Sequence, residues 1–141
     1  MTEEFKKYAG SETLLVVDDE RMLREMLSGF LSEYGYNILL AEDGQEALEL
    51  YNSSNDTIHL ILMDVVMPRK DGISTYKEIK EKHPDAIIIL MSGYNSNHAH
   101  ASENMNIVRK PFSFLDMART IRKTLDDTPL NSCKFTSTSA V

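Results

Sequence analysis

A single cysteine, Cys133, stands in the whole chain, so no internal disulfide can form. That usage fits a reducing compartment, and a cytoplasmic location is the expectation. Long apolar runs are also missing. "AIIILM", from Ala86 to Met91, falls far short of the roughly 20 residues that a membrane-spanning helix takes. The opening "MTEEFKKYAG" mixes charges and has no apolar centre, so neither a signal peptide nor a membrane association is expected. Basic residues are the minority: 15 Lys and Arg stand against 22 Asp and Glu, a formal net charge of -7. A surface of that sign repels phosphate backbones, which argues against direct nucleic-acid binding. Nothing after Leu125 reads as a helix-turn-helix, and the ATP-binding motifs of a kinase are absent. What is there is ordinary: 141 residues, 42% hydrophobic, enough for one domain with a real core.

Three short segments are almost wholly apolar: "TLLVV" (Thr13–Val17), "IHLILM" (Ile58–Met63) and "AIIILM" (Ala86–Met91). "NILLA" (Asn37–Ala41) is a weaker fourth, and "NIVR" before Lys110 reads as a fifth. Short runs without alternation read as strands buried on both faces, hence a parallel sheet. Segments of helical period lie between them. In "ERMLREMLSGFLSEYG" the residues Met22, Leu23, Met26, Leu27, Phe30 and Leu31 form one apolar stripe, and Gly35 stands where a helix would stop. "DGQEALELYN" and "GISTYKEIKEKHP" read likewise, the second ended by Pro84, and "SFLDMARTIRKTL" predicts a last helix capped by Ser113. Strands alternating with helices predict βαβ units in an α/β, doubly wound sheet. The expected organisation is an N-terminal extension over 1–10, one domain over 11–125 and a polar, disordered tail over 126–141.

Ligands of such sheets bind outside the carboxyl ends of the strands. "LLVVDDE" runs an apolar strand straight into Asp18, Asp19 and Glu20, like charges that need hydration or a cation. Asp64 follows the third apolar run, Ser92 the fourth, and Lys110 the fifth. Each alone has a plain explanation as a cap, a turn or a solvated side chain. Their joint placement at successive strand ends does not. Asp18, Asp19 and Asp64 offer hard oxygen ligands suited to Mg²⁺, and a carboxylate can act as nucleophile toward a phosphoryl group. Lys110 and the Ser92 hydroxyl could then meet phosphoryl oxygens.

The series "VVDDE", "LMDVVMP", "DG", "LMSGY" and "RKPF" resembles the receiver domain of two-component response regulators, and the likeness covers Ser11 to Leu125. It implies a flavodoxin-like, five-stranded parallel sheet of order 2-1-3-4-5 with helices on both faces. It also implies phosphorylation of Asp64 by a phosphohistidine on a sensor histidine kinase or a histidine phosphotransfer domain. By the same resemblance, Asp19 and Asp64 would bind Mg²⁺ directly, Asp18 through water, and the Val66 carbonyl would complete the protein ligands; Mn²⁺ could substitute. Backbone N–H groups of Val66 and Gly93 would hold phosphoryl oxygens, Lys110 would be the family's lysine, Ser92 the switch hydroxyl, and the Lys110–Pro111 bond cis. The chain would then act on no substrate but itself.

Three features depart from the family pattern. Ile107 takes the place of the usual aromatic switch residue, three before Lys110. Between Ser92 and Lys110 the chain is shorter than usual and lacks an apolar stripe, so the helix there, the fourth of the fold, is expected to be short, frayed or mobile. His98 and His100 in that stretch are a weak metal signal. Lys70 stands where an apolar residue is usual and is expected to extend into solvent. Val66 and Tyr94 would border the phosphoryl group without guiding water, which predicts slow self-dephosphorylation. The chain could be a stand-alone regulator, a phosphorelay shuttle or the receiver module of a hybrid histidine kinase, with a weak homodimer among the options. The competing readings are a pseudo-receiver that binds partners without phosphorylation, and an aspartate-nucleophile phosphatase of the haloacid dehalogenase type. The latter needs D-x-D after the first strand, where this chain has D-D-E.

Overall fold

The computed structural model describes residues 3–93 and 105–127. The elements run α1 (Glu3–Tyr8), β1 (Thr13–Val17), α2 (Arg21–Glu33), β2 (Asn37–Ala41), α3 (Gly44–Ser54), β3 (Leu60–Asp64), α4 (Gly72–Lys82), β4 (Ile88–Ser92), β5 (Asn106–Arg109) and α5 (Phe114–Asp127). The strands form one sheet in the order β2-β1-β3-β4-β5, all pairs parallel. This is the flavodoxin-like order expected from the sequence.

Alternation along each strand divides the core in two. Leu15 and Val17 of β1 face one layer, with Ala47, Leu48 and Tyr51 of α3 and Ile79 of α4. Leu14 and Val16 face the other, with Leu27 and Leu31 of α2 and Met117, Ala118, Ile121 and Leu125 of α5. Helices therefore cover both faces, as unbroken apolar strands require. Each fully buried Leu or Ile contributes about 1.5–3 kcal/mol.

The expected cap at Ser113 forms, and the structure adds another at Asp71. Ser113 Oγ accepts the Asp116 N–H at 3.0 Å, and Asp71 Oδ1 accepts that of Ser74 at 2.7 Å. Gly35 ends the α2 turn with φ +103, a conformation that suits glycine. No helix among the described residues is long and apolar enough to cross a membrane.

Several expectations need correction. The third and fourth strands start two residues later than their apolar runs, because ladder pairing begins with Leu14–Leu60 for β3 and with Ile61–Ile88 for β4. Asp64 and Ser92 are consequently the last residues of their strands. The α2 stripe is narrower than its sequence: Leu27 and Leu31 are buried, but Met22 and Met26 are 68% and 50% exposed. Arg24 is buried instead. Lys70 does not simply extend into solvent, since its Nζ pairs with Glu78 Oε1 at 2.8 Å.

The first residues form α1, which packs on the α2–α5 layer. Phe5 stacks on Tyr34 with centroids 4.3 Å apart, and an aromatic row continues through Phe30 to Phe114 at 4.9 and 5.2 Å. Arg119 covers the Tyr8 ring. The expected short or mobile helix falls on residues 94–104, which lie outside the described residues, with Tyr94, His98 and His100. Of the expected tail, Asp126 and Asp127 belong to α5, and 128–141 also lie outside.

Candidate functional site

Strand register builds the site. Val17 pairs with Met63, Asp64 with Met91, and Ser92 with Arg109. The residues at or just past these pairs, Asp18, Asp64, Ser92 and Lys110, are therefore brought to one carboxyl-end rim. Parallel strands start level, so apolar runs of matched length deliver their polar ends together.

Asp18, Asp19 and Asp64 each offer a carboxylate oxygen within 4.8 Å of the others. Asp18 and Asp64 are buried, while Asp19 is exposed. Lys110 Nζ lies 3.4 Å from Asp18 Oδ2 and 3.3 Å from Asp64 Oδ1. Burial pushes the Asp64 carboxyl up to about 6, the Asp18 carboxylate adds to the rise, and Lys110 opposes it. Burial also raises Asp18, against the Glu20 N–H and Lys110. For Lys110, burial works to lower the pKa, but Asp18 and Asp64 outweigh it and hold the ammonium above its usual range. One cation is thus shared by two buried acids, with a third acid beside them.

That donor set fits a hard divalent cation. Three carboxylate oxygens lie close enough to bind one ion, and their mutual repulsion is what such an ion would relieve. The chemistry available is attack on an electrophile by a buried carboxylate beside an ammonium.

The remaining expected residues stand as follows. Ser92 is fully buried; its Oγ donates to Gly93 O at 3.5 Å, and its carbonyl accepts the Lys110 N–H at 2.7 Å. Val66 is 63% exposed beside the site, whereas its neighbour Val65 is buried and bonds through its N–H to Met91 O at 2.9 Å. Ile107 lies in β5, half-buried against the α3–α4 core layer, as an ordinary strand residue would. The Lys110–Pro111 bond is cis.

The sequence reading missed three supports. Arg24 reaches from α2 so that Nη1 donates to the Asp18 carbonyl at 2.7 Å, with Glu42 3.7 Å from its Nη2. It stands outside the apolar stripe read from the helical period, and no local signal in the sequence marks its contact with Asp18. Gly72 brings α4 against the end of β3: a Cβ there would lie 2.2 Å from Asp64 O. Asp43, the N-cap of α3, bonds Arg69 across the top of the sheet.

Known proteins resemble this chain in sequence and fold. The family model for the response regulator receiver domain matches residues 14–122. Response regulator RR06 of Streptococcus pneumoniae serotype 2 is 38% identical over 112 residues, covering 77% of this chain and 51% of that protein. Sensor kinase CckA of Brucella abortus is 33% identical over 122 residues, 84% of this chain and 13% of the kinase. The chain thus spans about half, or less, of the length of these curated relatives. Among solved structures, response regulator protein TrrA of Thermotoga maritima, in complex with Mg(2+)-BeF, is 36% identical with a TM-score of 0.71 and covers 81% of this chain and 99% of that one. The receiver domain of hybrid histidine kinase CckA is 29% identical with a TM-score of 0.70, over 80% and 98% of the two chains. A parallel sheet of this order, an acidic rim closed by one lysine and a family match along most of the chain agree: the protein belongs to the response regulator receiver domain family.

Proposed function

We propose that this chain receives a phosphoryl group on Asp64 from a phosphohistidine of a sensor histidine kinase or a histidine phosphotransfer domain. The observation that carries the reading is the meeting of Asp18, Asp19 and Asp64 at one rim with Lys110 across two of them. An Asp64 oxygen would attack phosphorus, forming the O–P bond as the P–N bond breaks, and the imidazole would leave with a proton from solvent. Asp18, Asp19, Asp64 and the Val66 carbonyl would hold Mg²⁺, or Mn²⁺ in its place. When bound, that ion would neutralise charge between the acidic rim and the incoming phosphoryl group. Lys110 would pair with a phosphoryl oxygen, and the N–H groups of Val66 and Gly93 would hold others. Ser92, at the end of β4, would turn toward the new charge, a local event that biases partner contacts. With Ile107 in place of an aromatic ring, the response would pass through loops and backbone. Val66, without a polar group to guide water, supports slow self-dephosphorylation.

Two settings fit this reading: a stand-alone cytoplasmic regulator acting through protein contacts, or the receiver module of a hybrid kinase, the second supported by the likeness to CckA. The test is intact mass after incubation with acetyl phosphate and Mg²⁺, beside Asp64→Asn. One phosphoryl addition that needs Mg²⁺ and is absent from the variant supports the reading. A folded wild-type chain that gains no mass overturns it in favour of a pseudo-receiver.

A further inference from the structure

Two residues with no part in the phosphoryl chemistry tie the loop after β3 to the corner between β2 and α3. Arg69, in that loop, has φ 65, the positive value among described non-glycine residues. Side chains are sterically disfavoured there, and such residues persist where their surroundings hold them. Asp43 does the holding. Arg69 Nη2 donates to Asp43 Oδ2, and Asp43 is buried although Arg69 is 72% exposed. The other Asp43 oxygen caps α3 by accepting the Glu46 N–H at 2.9 Å, so the carboxylate is itself fixed. That cap bond, against burial and with help from Arg69, holds its carboxyl below the usual range and keeps it charged at neutral pH.

The loop is closed on either side of Val66 and Arg69. The Gly72 N–H donates to Val65 O at 2.7 Å, and the Lys70 N–H turns back to Pro68 O at 2.6 Å. Gly44, next to Asp43, lies against the same loop, since a Cβ on it would come 3.0 Å from Lys70 O. Val66 stands between the buried end of β3 and this pinned turn.

We propose that Arg69 and Asp43 form a latch that fixes the loop carrying Val66 against the start of α3, and so positions Val66 for the cation beside Asp64. This rests on the cation reading under Proposed function. Arg69 is a positioning residue that acts through the loop backbone.

Two variants separate the latch from general stability. Arg69→Gly removes the ion pair and the strained conformation together, so the metal-free thermal midpoint should stay within about 4 °C of wild type. Asp43→Asn keeps a good N-cap and removes the charge. In both, amide exchange at Lys70 and Gly72 should quicken about tenfold without metal. Mg²⁺ alone, titrated by calorimetry, should bind about tenfold more weakly. Wild-type exchange rates in both variants overturn the latch. Faster exchange with wild-type Mg²⁺ affinity overturns the positioning role and leaves a structural tie. A wild-type chain that binds no Mg²⁺ overturns the cation reading and, with it, the positioning role, whereas the exchange rates report the tie separately.

Discussion

The Lys110 ammonium stands 3.3 Å from Oδ1 of Asp64, and the same nitrogen is 3.4 Å from Oδ2 of Asp18. Both acids are buried, so this cation is what allows them to be charged together without a metal. Lys110→Met would leave two acids facing each other. The metal-free variant is expected to lose about 1–3 kcal/mol at pH 7, between the values of exposed and fully buried pairs. The loss should shrink near pH 4, where Asp64 carries its proton. Urea unfolding at the two pH values measures it, and equal stability at pH 7 would remove the bridge from any account of the site.

Asp64 sets a pH dependence of unusual sign. Its carboxyl is pushed up to about 6 in the fold, against 3.8 ordinarily. Between those values the folded chain binds more protons than the unfolded one, so this group makes stability fall as pH rises from about 4 to 6. The full effect is at most about 3 kcal/mol. Asp64→Asn is therefore expected to stabilise the metal-free protein at pH 7 and to do so much less at pH 4. Mg²⁺ should reverse the trend in wild type only, because a cation favours the charged acid. A wild-type minus variant difference that is flat across pH contradicts this account.

Glycines separate space from flexibility. At Gly72 a Cβ would lie 2.2 Å from Asp64 O and 2.9 Å from Val65 Cα, both backbone atoms that cannot turn aside. Gly72→Ala is expected to cost about 1–3 kcal/mol and to disturb the end of β3. Gly29, inside α2, has nothing within 4 Å of its would-be Cβ. Gly29→Ala should raise stability by about 0.5–1 kcal/mol through helix propensity. Thermal unfolding of the two variants should move in opposite directions.

The rim was legible because each strand announces its own end. An apolar run stopping at Asp18, Asp64 or Ser92 needs no tertiary information to be read, and the parallel sheet does the alignment. The supports were hidden because they depend on partners far along the chain. Nothing near Arg69 shows that Asp43, 26 residues earlier, will hold it in a left-handed turn. Arg24 was not singled out for a related reason: helical period cannot tell a solvated arginine from one whose buried fork meets a carbonyl. Met22 and Met26 show the converse, apolar residues on a helix surface that the sheet does not reach.

Arg122 is a hub of the same kind at the opposite end of the molecule. Its guanidinium meets Glu12 through two bonds of 3.0 and 2.6 Å, Asp126 at 2.8 Å and the Ala9 carbonyl at 3.3 Å. The segment between α1 and β1 is thereby fastened to α5. Burial alone would raise the Glu12 carboxyl, but its bonds to Arg122 prevail and hold it below the ordinary range. A carboxyl lowered by folding contributes stability above its unfolded pKa and loses it as pH falls through the folded value. Arg122→Met removes the partner and leaves Glu12 half-buried and unpaired by it, a loss of about 2–4 kcal/mol at pH 7. In acid Glu12 is neutral in both proteins, so the difference should narrow steadily below pH 4.5. Amide exchange in α1 should quicken in the variant at neutral pH while β1 stays protected, because Arg122 fastens the segment just after α1 to α5, beside the Arg119–Tyr8 bond to α5 and the Phe5 stack on Tyr34 at the end of α2. If α1 exchanges at its wild-type rate, Arg119 and the Phe5–Tyr34 contact anchor the helix without Arg122, and the Arg122 hub stabilises only the start of β1.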